Sequence, residues 1–244
     1  MRGIGIDIGT TSICLAVYEE DTGQLQEVLR EKNYFLEDTF RQDPDRIFTT
    51  VKGMLDDLLL SFNSGNNDND RDKPVVIGIS SQMHGILYVD KEGRAVSSYY
   101  TWKVESGNEA FGEETYASYL SHRTGSEMYT GYGSVTHFYL QQTGQIPEDA
   151  VWFANIGDYI AMRLCSVKAP VMSPSIAASM GGFSLKGKCF DMAALENAGV
   201  ATSYYPQVGA DGTILGAYQG IPVTCAQGDN QTSFYAAIGE NEQV

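Results

Sequence analysis

A mixed α/β sheet domain with an inserted lobe is predicted by three observations: an opening meander of strands, a helix that crosses to a further strand, and a late strand–turn–helix. In the opening stretch, Ile4, Ile6 and Ile8 alternate with Gly3, Gly5, Asp7 and Gly9, the two-residue period of a strand. One face is aliphatic, and the other is bare backbone carrying a single carboxylate. Ile13 to Tyr18 repeats the alternation, Glu19 to Gly23 turns the chain, and Leu25 to Arg30 reads as a third strand. Asp43 as N-cap and Pro44 as first helical residue then open a helix. Its Ile47, Val51, Met54, Leu55, Leu58 and Leu59 form a core-facing stripe.

Ser61 to Lys73 is polar and rich in Asn, Asp and Gly, which predicts a surface loop. The strand Val75 to Ile79 follows and ends in Ser80-Ser81-Gln82-Met83-His84-Gly85. Ile86 to Asp90 leaves as another strand, and Lys91 to Arg94 turns it back. Helices are predicted over Asn108 to His122, Ser134 to Gln142 and Gly157 to Leu164, and a hairpin over Ala177 to Leu185 with its turn at Lys186 to Lys188. Val223 to Gln227 reads as the late strand, Gly228-Asp229-Asn230 as its end, and Gln231 to Ile238 as the closing helix. No internal repeat is present.

The 244 residues carry a formal charge of −15, which argues against nucleic acid or an anionic membrane as partner. An anionic ligand is still allowed, because backbone dipoles and a metal can hold a phosphate. Cys14, Cys165, Cys189 and Cys225 are scattered without a CxxC pair, which predicts free buried thiols in a reducing compartment. With no signal-peptide pattern before the first strand and no membrane-length apolar run, a soluble cytoplasmic protein is expected. Oligomeric state leaves no mark in the sequence, and a homodimer is compatible with it.

Three strand ends offer chemistry: Asp7 to Ser12, Gln82 to Gly85, and Gly228 to Asn230. In open α/β sheets, ligands collect where strand ends give way to loops. Gly9, Thr10, Thr11 and Ser12 supply amides and hydroxyls in a tight turn, and with Asp7 beside them they suit a phosphate chain and its magnesium. An ordinary hairpin with a glycine-rich face is the alternative. Asp229 lies before a helix, near the positive end of its dipole, where a carboxylate stays ionised and can take a proton from an attacking alcohol. A plain helix cap suits it too. His84 can donate and accept hydrogen bonds as sugar hydroxyls require, or be a satisfied structural residue. Trp102 offers a flat face for a sugar's C–H side, or is core. His122 and His137 read as structural or surface residues.

The series GIGIDIGTTS, ISSQMHGILYVD, YTWK, YTGYGSVTHFYL, IGDYIAMRL and AQGDNQTSFYAA, in order over essentially the whole chain, resembles the N-terminal domain of FGGY-type carbohydrate kinases. The opening motif is shared among actin-like ATPases. The Gln-Met-His-Gly turn is more particular and is similar to the xylulokinase and sedoheptulokinase branches. The resemblance implies a ribonuclease-H-like fold of the actin and hexokinase type, with a mixed five-stranded sheet flanked by helices and an inserted α/β lobe. It also implies ATP-dependent phosphorylation of a ketose or related polyol at a primary hydroxyl. Carried over, Asp229 matches the catalytic base and Asp7 the acid near Mg2+. Gly9, Thr10, Thr11 and Ser12 match the turn facing the ATP phosphates. Met83, His84 and Trp102 match sugar-side positions, and Gln82, Lys103 and Asn230 beside them are expected to bind the substrate as well.

Two departures stand out. Lys103-Val104 follows Trp102 where the family has an amide and then Asp, and Pro174 stands where relatives often have Asp. They point to an altered substrate, such as one with an acidic group facing Lys103, or to a non-catalytic sugar-binding protein on the same fold. Residues 1–244 are expected to be the sugar-binding half, inactive without a C-terminal nucleotide-binding domain that carries most of the adenine site.

Overall fold

The computed structural model describes residues 1–37, 39–64 and 74–238. β1 (Arg2–Ile8) and β2 (Ser12–Glu19) pair antiparallel from Arg2–Glu19 to Ile8–Ile13, and β3 (Gln24–Lys32) extends the meander. Ile4, Ile6, Ile8, Ile13, Leu15 and Val17 are all buried, as the alternation requires. The two-residue β4 (Arg41–Gln42) precedes α1 (Pro44–Ser64). Asp43 Oδ1 caps this helix by accepting from the amides of Asp45 and Arg46, at 3.0 and 3.1 Å. The six stripe residues of α1 are buried on the aliphatic face of the sheet. The helix runs through Ser64, so the expected loop at Ser61 begins later. Residues 65–73 of that segment lie outside the described residues. β5 (Pro74–Ser81) then pairs parallel with β1, so that Ile8 and Ser81 finish side by side.

The lobe follows. β6 (Leu87–Val89) is shorter than the expected strand, and β7 (Tyr99–Tyr100) pairs with β4. The helix expected over Asn108 to His122 is instead a small hairpin of β8 (Ala110–Phe111) and β9 (Glu114–Thr115), followed by α2 (Tyr116–Thr124). Gly112 takes a positive φ of 67° in that hairpin, and the Thr115 side chain caps α2 by accepting from the Ser118 amide. α3 (Gly133–Gln142) and α4 (Ile156–Leu164) lie within a residue of expectation, with β10 (Trp152–Ala154) between them pairing with β6.

After β11 (Val171–Met172), Ser173 caps α5 (Pro174–Ser179), with Pro174 in the first turn where its missing N–H costs nothing. The predicted hairpin at Ala177 therefore starts as helix. Gly181 and Gly182, at φ 88° and 70°, end that run, and only β12 (Phe183–Ser184) and β13 (Cys189–Phe190) form the hairpin. α6 (Met192–Asn197) and β14 (Gln207–Val208) complete the lobe.

β15 (Ile214–Tyr218) and β16 (Ile221–Thr224) form an antiparallel pair that joins β5. The late strand is split: the Cys225 amide turns to the Thr213 carbonyl, and β17 (Gln227–Gly228) resumes against the end of β5. α7 (Asp229–Ile238) starts two residues earlier than expected. The mixed sheet has seven strands in the order β15-β16-β5-β1-β2-β3, with β17 pairing β5. Against the expected five, β15 and the split of the late strand bring the sheet to seven. One core lies between sheet, α1 and α4, and a second fills the lobe. All four cysteines are free, but only Cys225 is buried and Cys189 is exposed. Among the described residues, no helix is long and apolar enough to cross a membrane.

His137 is fully buried in the lobe. Its Nε2–H donates to the Ala201 carbonyl at 3.0 Å, and its Nδ1 accepts from the Tyr88 hydroxyl at 2.7 Å. Burial pushes its pKa from 6.5 down to about 4. A depressed pKa gives stability that is complete above the unfolded value and is lost as pH falls through the folded one, here on the order of 3 kcal/mol between pH 7 and 4. Urea unfolding across that range should show a stability slope steeper by about one proton than in His137→Gln. Equal slopes would remove His137 from the acid sensitivity.

Candidate functional site

The turn between β1 and β2 is closed by the Gly9 amide donating to the Ser12 carbonyl at 2.9 Å. Its other carbonyls are also engaged. Asn33 Nδ2 donates to Gly9 O at 2.9 Å, Gln42 Nε2 to Thr10 O at 2.8 Å, and the Asn33 amide to Thr11 O at 2.9 Å. With all four carbonyls turned into the protein, the negative ends of the turn's dipoles are withdrawn. The Thr10 and Thr11 amides meet no backbone acceptor among the described residues. Such a nest is suited to an anion. The Thr10 hydroxyl is not part of the open surface, because it donates to Gln82 Oε1 and accepts from Trp102 Nε1, each at 3.1 Å. Thr11 is exposed and Ser12 half-buried, so theirs are the hydroxyls left facing outward.

The second strand end is shaped by Asn155, which is completely buried at the start of α4. Its Nδ2 donates to the carbonyls of Gln82 and Gly85, both at 3.1 Å, and its Oδ1 accepts from Ser81 Oγ at 2.8 Å. Gln82 and Met83 are buried, at 1% and 6% exposure. Both were expected on the sugar side, and both are framework instead. Gln82 spends its amide on Thr10 and Gln42, and Met83 packs where a Cβ on Gly228 would meet its Sδ at 2.9 Å.

His84 is the residue this turn presents. It holds a left-handed φ of 71°, which is uncommon outside glycine and is maintained here by the bond from its amide to Ser179 Oγ at 3.1 Å. Its ring stacks on Tyr132, with centroids 4.7 Å apart, and Nδ1 lies 2.7 Å from the Ser179 carbonyl. A carbonyl only accepts, so Nδ1 carries the proton. Burial lowers the pKa of the ring, against the raising effects of Ser179 and Asp229. The neutral ring therefore offers Nε2 as an acceptor for a ligand hydroxyl.

A cleft of about 650 Å³ runs between the open face of the sheet and α7, lined by Asp7, Ser80, Asp229 and Asn230 among others. The helix terminus is not what dominates the electrostatics of Asp229. Partial burial raises its pKa and the Asp7 charge adds to that, outweighing the Asn230 amide, whose N–H donates to Oδ1 at 2.8 Å, and the nearby His84. Asp7 is raised as well, because the crowded sheet surface withdraws water from it more than Ser80 and Arg30 compensate. Among the described residues no cluster of three metal-ligating side chains forms. Asp7 and Asp229 nevertheless suit Mg2+, which takes one or two carboxylates and completes its shell with water and phosphate oxygens.

Trp102 is 46% exposed, so it is a platform and not core. Lys103 packs its ammonium among Trp102, Phe35 and Phe40, 5.3 to 6.0 Å from the ring centroids. The structure thus brings Asp7, the turn, His84, Asp229 and Asn230 to one end of the sheet, with Trp102 tied to the turn. Asn33, Gln42, Asn155 and Ser179 went unread in the sequence. Asn155 had a local signal, the Asn-x-x-Asp capping box with Asp158. The others had none, because their partners are distant in sequence.

Residues 3–236 match the profile of the FGGY family of carbohydrate kinases, N-terminal domain. The chain is 31% identical over 192 residues to a sedoheptulokinase of Mus musculus, covering 67% of this chain and 39% of that one. It is 26% identical over 208 residues to a gluconokinase of Bacillus licheniformis, covering 82% and 39%. In fold it is similar to a xylulose kinase from Rhodospirillum rubrum (TM-score 0.78, 18% identity, 98% and 51% of the chains). A Plasmodium falciparum glycerol kinase solved with ADP superposes with TM-score 0.78 at 16% identity, over 95% and 49% of the chains. The chain thus spans about two fifths of these curated relatives and about half of these solved chains.

A Cβ on Gly85 would lie 2.5 Å from both the Tyr100 carbonyl oxygen and the Tyr99 hydroxyl. Gly85→Ala should therefore cost about 1–3 kcal/mol in urea unfolding. A cost below about 0.5 kcal/mol, the range of an indifferent surface change, would show that the turn is not held as tightly as described.

Proposed function

The chain belongs to the FGGY family of carbohydrate kinases, and on that premise we propose that it is the sugar-binding half of an enzyme that phosphorylates a sugar at a primary hydroxyl. ATP is the proposed donor and a ketose such as sedoheptulose or xylulose, or a related polyol, the acceptor. The observation that carries this reading is the turn at Gly9 to Ser12, whose carbonyls are all engaged inside the protein and which leaves β1 beside Asp7, the residue that shares a cleft with Asp229. A dipole nest beside a base is what phosphoryl transfer to an alcohol requires. The adenine would be held by residues outside 1–244.

In the proposed reaction the acceptor hydroxyl oxygen attacks the γ-phosphorus. The new O–P bond forms as the bond to the β–γ bridging oxygen breaks, ADP leaves, and the hydroxyl proton passes to Asp229. The raised pKa favours this role, since a stronger base takes the proton more readily as the oxygen attacks. His84 Nε2 accepts from a second sugar hydroxyl, and Trp102 covers the C–H side of the ring. The Thr10 and Thr11 amides and the outward hydroxyls of Thr11 and Ser12 receive the phosphate chain. A magnesium ion, with Asp7 as its protein ligand, would supply charge neutralisation there. Asn230 lines the same cleft beside the base.

Asp229→Ala, in the chain together with its second domain, should lower kcat by about 10³-fold with the far-UV spectrum unchanged. Turnover near wild type would remove Asp229 from the chemistry. In the active enzyme the acid limb of the pH–rate profile should lie above the ordinary carboxylate range. Ionisation of Asp229 is needed for it to accept a proton, and its pKa is raised. His84→Ala should raise the sugar KM about tenfold with a much smaller effect on the ATP KM, as expected for one lost hydrogen bond. Equal effects would count against a sugar contact.

Lys103 holds its ammonium over the Trp102 ring beside the site, and an acceptor bearing an acidic group is the second reading this cation supports. Lys103→Gln should then reduce kcat/KM for an aldonic acid several-fold more than for the matching ketose. An equal change for both would assign Lys103 to packing.

A further inference from the structure

Gln42 is fully buried, yet it sits two residues past the exposed Phe40 and beside the site. Its Nε2 donates to the Thr10 carbonyl at 2.8 Å, and its Oε1 accepts from Gln82 Nε2 at 2.8 Å. Gln82 Oε1 accepts in turn from the Thr10 hydroxyl at 3.1 Å, which closes a ring of hydrogen bonds. The same hydroxyl accepts from Trp102 Nε1 at 3.1 Å. Only one amide orientation satisfies the ring. Flipping Gln42 would set oxygen against the Thr10 carbonyl and NH2 against NH2 of Gln82. The backbone repeats the linkage: Gln42 pairs with Tyr99 and Arg41 with Tyr100, and Thr101 Oγ1 donates to the Phe40 carbonyl at 2.6 Å. The β4–β7 ribbon thus delivers Gln42 and Trp102 together against the turn.

We propose that Gln42 is a positioning residue, which through Gln82 and Thr10 fixes the Trp102 indole and the Gly9–Ser12 turn as one unit. A buried amide pair is not needed for stability alone, because replacing both partners by apolar groups of the same shape is often nearly neutral. This pair instead terminates on the half-buried Thr10 and the exposed Trp102, the two sides between which a transfer must be aligned. Misplacement of reacting groups by about 1 Å can cost on the order of 10²-fold in rate. The consequence for catalysis rests on the proposed kinase reading, whereas the coupling of Gln42 to Trp102 does not.

The test separates the two. The chain has two tryptophans, so Trp152→Phe leaves Trp102 as the only emitter. In that background Gln42→Met keeps the volume and removes both bonds. The expected result for a folded Gln42→Met chain is a red-shifted emission and at least a twofold rise in acrylamide quenching. Unchanged quenching overturns the proposal. Gln82→Met cuts the same ring without removing the acceptor of the Trp102 indole and should give the same rise. If Gln42→Met fails to fold, the Gln82→Met result decides.

In the chain with its second domain, Gln42→Met should lower kcat about tenfold or more and raise the KM for both sugar and ATP. Altered quenching with unchanged kinetics overturns the positioning role. A parent protein that transfers phosphate to no sugar overturns the kinase reading instead, and leaves the coupling to the fluorescence.

Discussion

Asn155 is a completely buried amide that spends both its side-chain atoms on the strand end carrying the site, and the geometry of that end depends on it. It ties Ser81, Gln82, Gly85 and Tyr99 to the first turn of α4. Without its Nδ2 two buried carbonyls lose a donor, each at the desolvation cost of about 1–3 kcal/mol. The left-handed backbone of His84 lies between those two carbonyls. A strained residue persists only where its surroundings over-determine it. Here Asn155 holds both ends of the turn, Ser179 holds the His84 amide and ring, and Tyr132 covers the ring face.

The same logic governs the phosphate side. A chain with a net charge of −15 and two mutually opposed carboxylates in one cleft is an unpromising host for an anion. The turn answers this locally by engaging every carbonyl of Gly9 to Ser12 with Asn33, Gln42 or the turn itself. What remains without a backbone acceptor among the described residues is the positive end of the Thr10 and Thr11 peptides. Because the donors come from the segment between β3 and α1, the turn's polarity is set by residues up to thirty-two positions away.

Much of the fold was legible. The Ile4-Ile6-Ile8 alternation, the Asp43-Pro44 helix start and the late strand–turn–helix each encode a face or a terminus within a few residues. Errors fell where a local pattern was ambiguous. The Asn108 to His122 stretch has helical spacing, but Gly112 and Thr115 move the start to Tyr116. Ala177 reads as strand until Ser173 and Pro174 cap a helix over it. Of the candidate site residues, the sequence proposed Asp7, His84, Trp102 and Asp229, and the structure gathers them at one end of the sheet. It also put Gln82 and Met83 at a ligand surface, whereas both are buried.

By itself the sequence determined which residues share a face, where the opening strands and the first helix begin, and that three strand ends carry the chemistry-bearing side chains. Those properties follow from periodicities of two and 3.6 residues and from caps, all of which act over one or two turns of chain. Only the tertiary structure decided which polar groups remain free, that Asp229 is pushed up and not held down, and that Thr10, Gln42, Gln82 and Trp102 form one network. These outcomes depend on burial and on partners many residues away, and neither quantity is written in a local window. The strand register brings such partners together, since the parallel pairing of β1 with β5 sets Ile8 beside Ser81 and so sets the turn beside His84.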